Sequence, residues 1–207
     1  MLVGLGTGST VYYFIKALIK RCKEGLRIQA VSSSDQSTRV AQEGGIELLN
    51  PSQFTKLDLT VDGADEIDAN FQMIKGGGGA LLREKIMAYH SKRLVIIVDE
   101  TKCCSMIGAK KLPIEVIPYG LMATKRTLEH LGLCPELRKQ QAKDVYMTDN
   151  QNYIFDLKIP ALIQKPKELE KTLCAIPGVV ETGLFLNMTH HLIIGFSDGT
   201  IEERFRV

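Results

Sequence analysis

Short apolar segments alternate with amphipathic segments through the first half of the chain. The apolar segments are the strand candidates "MLVGL", "LRIQAV", "LDLTV" and "RLVIIVD". Helical spacing of apolar residues begins at Ser9 and ends before Gly25, and further helices are predicted in "SSSDQSTRVAQEGG" and "ALLREKIMAYHS". Strands and helices that alternate in this way form right-handed βαβ units. The first half therefore predicts an α/β fold with a doubly wound, mostly parallel sheet of the Rossmann-like type.

The second half follows a different order of elements. Strand, helix, strand, strand, helix and strand are predicted in "LPIEVIPY", "LMATKRTLEHLG", "CPELRK", "NYIFDLKI", "PKELEKTLCAI" and "VVETGLFL". This is the order of a ferredoxin-like split βαβ arrangement. A hairpin around Asp198 and Gly199 is expected to close the chain. We therefore predict a Rossmann-like domain of residues 1–108 plus 186–207 and a second, smaller ferredoxin-like α+β domain of residues 109–185.

Composition and charge exclude several classes of function. The 207 residues are 44% hydrophobic and 24% charged, which is ordinary for a globular protein. A net charge of +2 gives no electrostatic signature for nucleic acid or a membrane surface, and no apolar run is long enough to span a bilayer. The N-terminus lacks the pattern of a signal peptide, and the five cysteines lack C-x-x-C spacing. We therefore expect a cytoplasmic protein with reduced thiols and with neither nucleic acid nor a membrane as partner.

A glycine-rich segment, "GLGTGST", joins the first predicted strand to the first helix. Its glycines allow backbone N–H groups to approach a ligand closely, and Thr7, Ser9 and Thr10 add hydroxyl groups. The N-terminus of the helix adds partial positive charge, which favours a phosphate group. A plain strand-to-helix turn with a hydroxyl cap explains the same residues, so the segment taken by itself leaves both interpretations open.

Acidic side chains follow the third predicted strand, in the segment "VDGADEID". Asp62 and Asp65 are three residues apart in a turn and can face the same side. Because ligands bind outside the carboxyl ends of the strands in open α/β sheets, these residues are expected at the same edge as "GTGST" and "SSSD". This position favours a ligand-binding role over the solvated turn that a D-x-x-D pattern otherwise indicates.

Four consecutive glycines follow Lys75 and precede a helix, in "KGGGGALLREK". Four glycines cost more conformational entropy than a turn requires, so we expect a backbone wrapped closely around a small anionic or polyhydroxyl ligand. Glu84 has apolar neighbours in the first turns of the helix, where partial desolvation would suit a general base. Lys102 follows the fourth strand and can reach a phosphate. Taken separately, an exposed glutamate and a surface lysine are the simpler explanations for Glu84 and Lys102.

The other polar residues receive structural interpretations. Helix capping by Ser34 or Asp35 is favoured for "SSSD", and capping or solvation is sufficient for Glu66 and Asp68. The remaining cysteines and histidines show no metal-ligand spacing, so no metal site is predicted.

The motifs taken together resemble one family. The segments "GLGTGST", "SSSDQST", "VDGADEID", "MIKGGGGALLREK", "LPIEVIP" and "IPGVVETGLF" stand in the order and spacing of ribose-5-phosphate isomerase type A. The resemblance covers essentially the whole chain. Each motif is weak alone, but the combination of D-G-A-D-E, K-G-G-G and R-E-K is highly specific.

The resemblance implies interconversion of D-ribose 5-phosphate and D-ribulose 5-phosphate in the non-oxidative branch of the pentose phosphate pathway, through a cis-enediolate and without metal or organic cofactor. It implies that Glu84 is the proton acceptor and that Asp62, Asp65 and Lys75 are also catalytic. The residues that it implies bind the sugar phosphate substrate are Thr7, Gly8, Ser9, Thr10, Asp62, Gly63, Ala64, Asp65, Lys75, Gly76, Gly77, Gly78 and Lys102. It further implies a cytoplasmic homodimer or homotetramer.

The sequence departs from the family pattern in two places. The family has a helix and most of a strand before the glycine loop, whereas Met1 stands three residues before Gly4, so the first strand is expected to be short. Gly79, the fourth glycine, stands where alanine is expected as readily. Two alternatives stay open: a sugar-phosphate sensing module on the same fold, and an amino-sugar phosphate deaminase or CoA transferase, whose catalytic signatures we do not find.

Overall fold

The computed structural model describes residues 1–140 and 144–206, which form two compact units. The first unit contains residues 1–64, 83–102 and 188–206, and the second contains residues 65–82, 103–140 and 144–187. The helices are α1 Ser9–Lys23, α2 Asp35–Glu43, α3 Leu81–Tyr89, α4 Leu121–His130 and α5 Pro166–Cys174. The strands are β1 Leu2–Leu5, β2 Gln29–Ser32, β3 Glu47–Leu48, β4 Leu59–Asp62, β5 Glu66–Asp68, β6 Met73–Ile74, β7 Leu94–Asp99, β8 Cys103–Cys104, β9 Leu112–Val116, β10 Cys134–Leu137, β11 Lys139–Gln140, β12 Asp144–Val145, β13 Tyr153–Lys158, β14 Val179–Thr182, β15 Leu184–Phe185, β16 His191–Gly195 and β17 Ile201–Phe205.

The first unit is built on a seven-stranded sheet in the order β17-β16-β7-β4-β1-β2-β3. Neighbours from β16 to β3 pair in parallel, and β17 pairs antiparallel with β16. The chain adds strands first on one side of β1 and then on the other, as in a doubly wound sheet. This arrangement confirms the predicted mostly parallel sheet and the closing hairpin.

The spacing of apolar residues explains why residues 9–23 form a helix that packs against β1. Its buried residues Val11, Ile15 and Ile19 recur every four positions, so one face of the helix packs into a core that includes Val3 and Leu5 of β1. Burial of each such aliphatic side chain contributes about 1.5–3 kcal/mol. The helix therefore fixes the direction in which the chain leaves β1 through the loop 6–8.

The second unit contains a four-stranded antiparallel sheet in the order β10-β13-β9-β14. Helices α4 and α5 each contribute a fully buried leucine to the core of this sheet, Leu128 and Leu173, which pack with Ile114 and Phe155. If the four strands are numbered in chain order, the sheet order is 4-1-3-2. Each helix therefore connects two strands that have another strand between them, which confirms the predicted ferredoxin-like split arrangement.

A second, smaller sheet of this unit was not predicted, and it lies in the order β15-β6-β5-β8. Its strand β5 contains Glu66 and Asp68, which are 4% and 7% exposed. Glu66 accepts hydrogen bonds from the backbone N–H groups of Gly108, at 2.6 Å, and of Lys110. The interpretation of Glu66 as a capping or solvated residue was therefore wrong, because its carboxylate is buried and satisfied by main-chain donors.

Asp68 closes the turn that joins β5 to β6. Its Oδ1 accepts hydrogen bonds from the N–H groups of Asn70 and Gln72, both at 2.9 Å. Solvation was therefore also the wrong explanation for Asp68, which shapes a turn rather than a helix end.

The segment 65–82, which carries the four glycines, lies in the second unit, whereas the predicted domains placed it in the first. Compactness alone does not define a domain, so the division into domains stays a prediction. Within residues 1–140 and 144–206, no helix is long and apolar enough to cross a membrane.

Candidate active site

The loop between β1 and α1 belongs to the first unit. Gly8, at φ 113°, precedes the first helical residue, and no side chain caps the helix N-terminus there. A Cβ on Gly6 would collide with the side chain of Asp62, so only glycine fits at that position. Gly8 therefore provides no side-chain acceptor for the backbone N–H groups at the start of α1, and these groups are suited to bind an anion.

Asp62 ends β4 and is 1% exposed. Its Oδ1 accepts hydrogen bonds from the backbone N–H groups of Thr7, at 3.2 Å, and Gly63, at 2.8 Å. The Thr7 hydroxyl lies 2.7 Å from the Ser33 hydroxyl, and the Ser33 N–H donates to Leu5. The structure thus brings together the ends of β1, β2 and β4, as the strand-edge prediction required.

Ser34 caps α2, because its side chain accepts a hydrogen bond from the N–H of Ser37 at 3.2 Å. This confirms the capping interpretation of "SSSD" for Ser34. Ser33, which was not singled out from the sequence, is the member of that segment that contacts the glycine loop. Nothing in the sequence separated it from the serines on either side.

Glu84 lies in the first turn of α3 and is 3% exposed. The simpler interpretation, an exposed glutamate between Arg83 and Lys85, is therefore wrong. Lys102 ends a 3₁₀ turn after β7 and is half-buried, and its Nζ lies 3.9 Å from Asp99 Oδ2. A hydrogen bond from Thr101 holds the pKa of Asp99 below its usual value, so Asp99 stays ionised beside this lysine.

The lysine and the glycines of "KGGGG" belong to the second unit. Lys75 is 3% exposed, its N–H donates to Gly183 at 2.9 Å, and its Nζ lies 5.4 Å from the ring centroid of Phe185. The N–H of Gly77 donates to Asp65 Oδ2 at 2.8 Å. Within this unit the structure therefore brings Asp65 to the glycine loop, twelve residues further along the chain.

Two glycines of this loop have backbone conformations that other residues rarely adopt. Gly76 has φ 102° and Gly79 has φ 84°. A Cβ on Gly79 would also collide with the Tyr146 ring. The expectation that alanine serves as readily at Gly79 was therefore wrong, because both the backbone angle and the neighbouring ring require glycine.

Two residues that sequence reasoning missed also contact this loop, and a third, Asp156, holds one of them in place. Arg138 donates through Nη1 to the carbonyl oxygens of Gly76, at 2.8 Å, and Gly77, at 3.2 Å, and it pairs with Asp156. Tyr146 donates its hydroxyl to the carbonyl of Gly78 at 3.2 Å. They lie some sixty residues or more after the glycines, and no motif connects the two segments, so the sequence carried no signal for this contact.

Comparison with known proteins adds an independent result. The family model of ribose 5-phosphate isomerase A (phosphoriboisomerase A) matches residues 29–199. The chain is 46% identical over 199 residues to ribose-5-phosphate isomerase A of Protochlamydia amoebophila, which covers 96% of this chain and 86% of that protein. A solved ribose 5-phosphate isomerase from Plasmodium falciparum is 36% identical with a TM-score of 0.95, over 100% of this chain and 91% of that one. A solved D-ribose-5-phosphate isomerase in complex with phospho-erythronic acid is 39% identical with a TM-score of 0.94 and the same coverage.

The relatives define a class of enzyme, the aldose–ketose isomerases that act on sugar phosphates. They are 36% to 46% identical to this chain over essentially its whole length, which is more than a shared fold alone would explain. The chain belongs to the ribose 5-phosphate isomerase A family. The resemblance inferred from the motifs is thereby confirmed, while the roles of individual site residues stay predictions.

Proposed function

We propose that Glu84 is the base that transfers the proton when this chain, a member of the ribose 5-phosphate isomerase A family, interconverts D-ribose 5-phosphate and D-ribulose 5-phosphate. The observation that carries the proposal is the burial of Glu84, which is 3% exposed in the R-E-K motif of the family. A carboxylate kept from bulk water can exchange a proton with carbon while water is excluded from the reacting group.

The reaction moves one proton between two adjacent carbon atoms. The base removes the proton from C2 of ribose 5-phosphate, and C1 and C2 become doubly bonded in a cis-enediolate. The resulting carboxylic acid returns a proton to C1, while one proton moves from O2 to O1. One carboxylate on one face of the sugar serves both steps, and such base catalysis typically contributes about 10²–10⁴-fold.

Negative charge develops on the two enediolate oxygens during this reaction. The buried ammonium of Lys75 and the N–H groups of Gly76 and Gly78 are suited to stabilise it, since preorganised donors act strongly where water is excluded. The related isomerase in complex with phospho-erythronic acid supports this assignment. That ligand carries a planar carboxylate with two oxygens and a phosphate, as the enediolate intermediate carries two oxygens and a phosphate.

The phosphate is assigned to the loop Thr7–Thr10 and to Lys102. The N-terminus of α1 supplies backbone N–H groups and the positive end of the helix dipole, and the lysine supplies a full charge. Asp62 and Asp65 are assigned to the sugar hydroxyls, with the backbone of Gly63 and Ala64 beside them. Asp62 also keeps the loop in shape through its bond from the Thr7 N–H.

The proposed function is tested by incubating the protein with D-ribose 5-phosphate in D₂O and following the sugar by NMR. Formation of D-ribulose 5-phosphate with deuterium from solvent at C1 is expected, because the carboxylic acid of Glu84 exchanges its proton with solvent. Binding of the sugar phosphate without any ketose would instead indicate a sensing module. Ketose that forms no faster than in a sample without protein would contradict the isomerase activity.

We further propose that the protein is a cytoplasmic homodimer or homotetramer. The family resemblance supports the assembly, and the absence of C-x-x-C spacing among the five cysteines of the sequence is consistent with a reducing compartment. Light scattering coupled to size-exclusion chromatography is expected to give two or four times 23.0 kDa. A mass of one chain across the working concentration range would contradict the assembly.

A further inference from the structure

Three successive carbonyl groups of the loop Gly76–Gly78 are held by two side chains from a distant segment. Arg138 Nη1 binds the first two carbonyls and the Tyr146 hydroxyl binds the third. Glycine has more backbone freedom than any other residue, so a run of glycines does not hold one conformation unaided. The three hydrogen bonds supply the missing constraint from outside the loop.

The direction of these bonds determines where the N–H groups point. In a trans peptide the C=O of one residue and the N–H of the next point in opposite directions. Carbonyls turned toward Arg138 and Tyr146 therefore turn the N–H groups of Gly77 and Gly78 to the opposite side. The N–H of Gly77 does meet Asp65 Oδ2 at 2.8 Å, which agrees with this geometry.

Arg138 is itself fixed in position. Its Nε and Nη2 bind the two carboxylate oxygens of Asp156, which is the bidentate arrangement that holds a guanidinium plane most firmly. The side chains are 14% and 19% exposed, so the pair is largely shielded from water. The Arg138 guanidinium also lies 5.7 Å from the ring centroid of Tyr146, so the two residues that hold the loop contact each other.

We propose that Arg138 and Tyr146 are positioning residues for the isomerisation, which act by aiming the N–H of Gly78 at the reacting oxygens and by keeping the N–H of Gly77 on Asp65, a residue assigned to the sugar hydroxyls. The proposal rests on the proposed function, because it takes this loop as the part that stabilises the enediolate. Neither residue belongs to a sequence motif of the site. Their effect is exerted through the loop, and the phosphate group, assigned to the loop Thr7–Thr10, is not involved.

The test uses Arg138→Lys, Tyr146→Phe and the double variant, with ribose 5-phosphate as substrate and phospho-erythronic acid and inorganic phosphate as inhibitors. Lysine keeps the charge but cannot bind Asp156 and two carbonyls in one plane. Arg138→Lys is expected to lower kcat by up to about 10²-fold, as misplacement of reacting groups does. Tyr146→Phe is expected to lower kcat about twofold to tenfold, the effect of one hydrogen bond.

A merely structural role is excluded by comparing the two inhibitors. Phospho-erythronic acid is expected to bind more weakly to both variants, while the inhibition constant of inorganic phosphate stays unchanged. The double variant should lose less than the product of the single losses, because both residues act on one loop. Arg126→Lys and Tyr119→Phe, which change the same residue types at exposed positions of the same unit, are controls that should match the original protein.

Unchanged kinetics of Arg138→Lys, or equal weakening of both inhibitors, would overturn the proposal. If Arg138→Lys does not fold, Tyr146→Phe decides the question in the same way, because it keeps the aromatic ring in place. A protein that forms no ketose at all before mutation would remove the proposed function. If the original protein turns over normally and both variants turn over at the same rate, only the positioning role of Arg138 and Tyr146 is ruled out.

Discussion

The two glycine loops of this protein are held in different ways. The loop 6–8 follows a strand of the parallel sheet and is held at the neighbouring strand ends by Asp62 and Ser33, with one further hydrogen bond from the Ser37 hydroxyl of α2 to the Gly6 carbonyl. The loop 76–79 is held by Arg138 and Tyr146, from a segment of the chain some sixty residues away. The first loop is thus shaped by the topology of its sheet, and the second by side chains that the topology does not specify.

This difference explains which parts of the site the sequence reveals. Strand ends in an open α/β sheet meet at one edge whatever their side chains, so the grouping of Thr7 and Asp62 followed from the order of elements. Side chains such as Arg138 and Tyr146, which directly follow β10 and β12 and contact a loop far back in the chain, leave no periodic or spacing signal. The contact between Arg138 and the glycines could therefore only be found in the folded chain.

Among the glycine substitutions, the largest effect is expected from Gly6→Ala, which disturbs the first loop. The added methyl group would occupy the position of the Asp62 side chain, and that carboxylate could then no longer hold the N–H of Thr7. Turnover of ribose 5-phosphate is expected to fall by about 10²-fold, since small displacements of binding groups have effects of this size. Gly195→Ala is the control, because its Cβ would only approach Val98 at 3.9 Å.

Circular dichroism and kinetics of both variants measure this effect. Near-normal turnover of Gly6→Ala would show that the first loop tolerates displacement of Asp62 and that its shape does not come from the strand ends. Loss of turnover in Gly195→Ala would show that the assay responds to any added methyl group in the sheet.

A smaller effect is expected from Gly79→Ala in the second loop. Alanine at φ 84° is strained, which costs about 1–3 kcal/mol, and it would also collide with the Tyr146 ring. Gly132→Ala is the control, because Gly132 has a similar angle, φ 76°, but the added methyl group would have no neighbouring atom within 4 Å. The difference in unfolding free energy between the two variants, measured with urea, therefore isolates the contact with Tyr146, and equal values would contradict that contact.

The smallest effect is expected on stability, from the ion pairs of Glu136 in β10, the strand that precedes Arg138. Hydrogen bonds from Lys111 and Lys158 lower the pKa of Glu136 to about 2, and Glu136 stands opposite Asp156 in the pairing of β10 with β13. A depressed pKa in the folded state adds stability above the unfolded value of 4.5, and this contribution is lost as the pH falls toward about 2. Because the group is exposed, the contribution is small and should shrink further in salt.

The pH dependence is tested by the difference in melting temperature between the original protein and Glu136→Gln. We expect a small difference at neutral pH that disappears as the pH is lowered from about 4.5 to about 2. A difference that grows on acidification would have the wrong sign and would contradict the assigned ion pairs.

The sequence predicted the fold further than it predicted the site. The alternation of strands and helices in the first half, including the β-branched run that forms β7, predicted the mostly parallel sheet. The β-α-β-β-α-β order of the second half predicted the four-stranded antiparallel sheet. The strand β5 was missed because its residues Glu66 and Asp68 are charged, and the burial of Glu66 depends on main-chain donors some forty residues further along the chain. For Glu84 the sequence left two interpretations open, because its apolar neighbours indicated partial desolvation whereas Arg83 and Lys85 indicated a solvated face, and the structure shows that it is buried.

The role of Glu84 as the base is tested by Glu84→Gln, with Glu43→Gln as a control that makes the same change at an exposed helical position. Turnover of ribose 5-phosphate and binding of phospho-erythronic acid are measured on both variants. The account predicts that Glu84→Gln loses about 10²–10⁴-fold in kcat and still binds the ligand, because glutamine keeps the shape but cannot accept the proton. Near-normal turnover of Glu84→Gln would contradict the account.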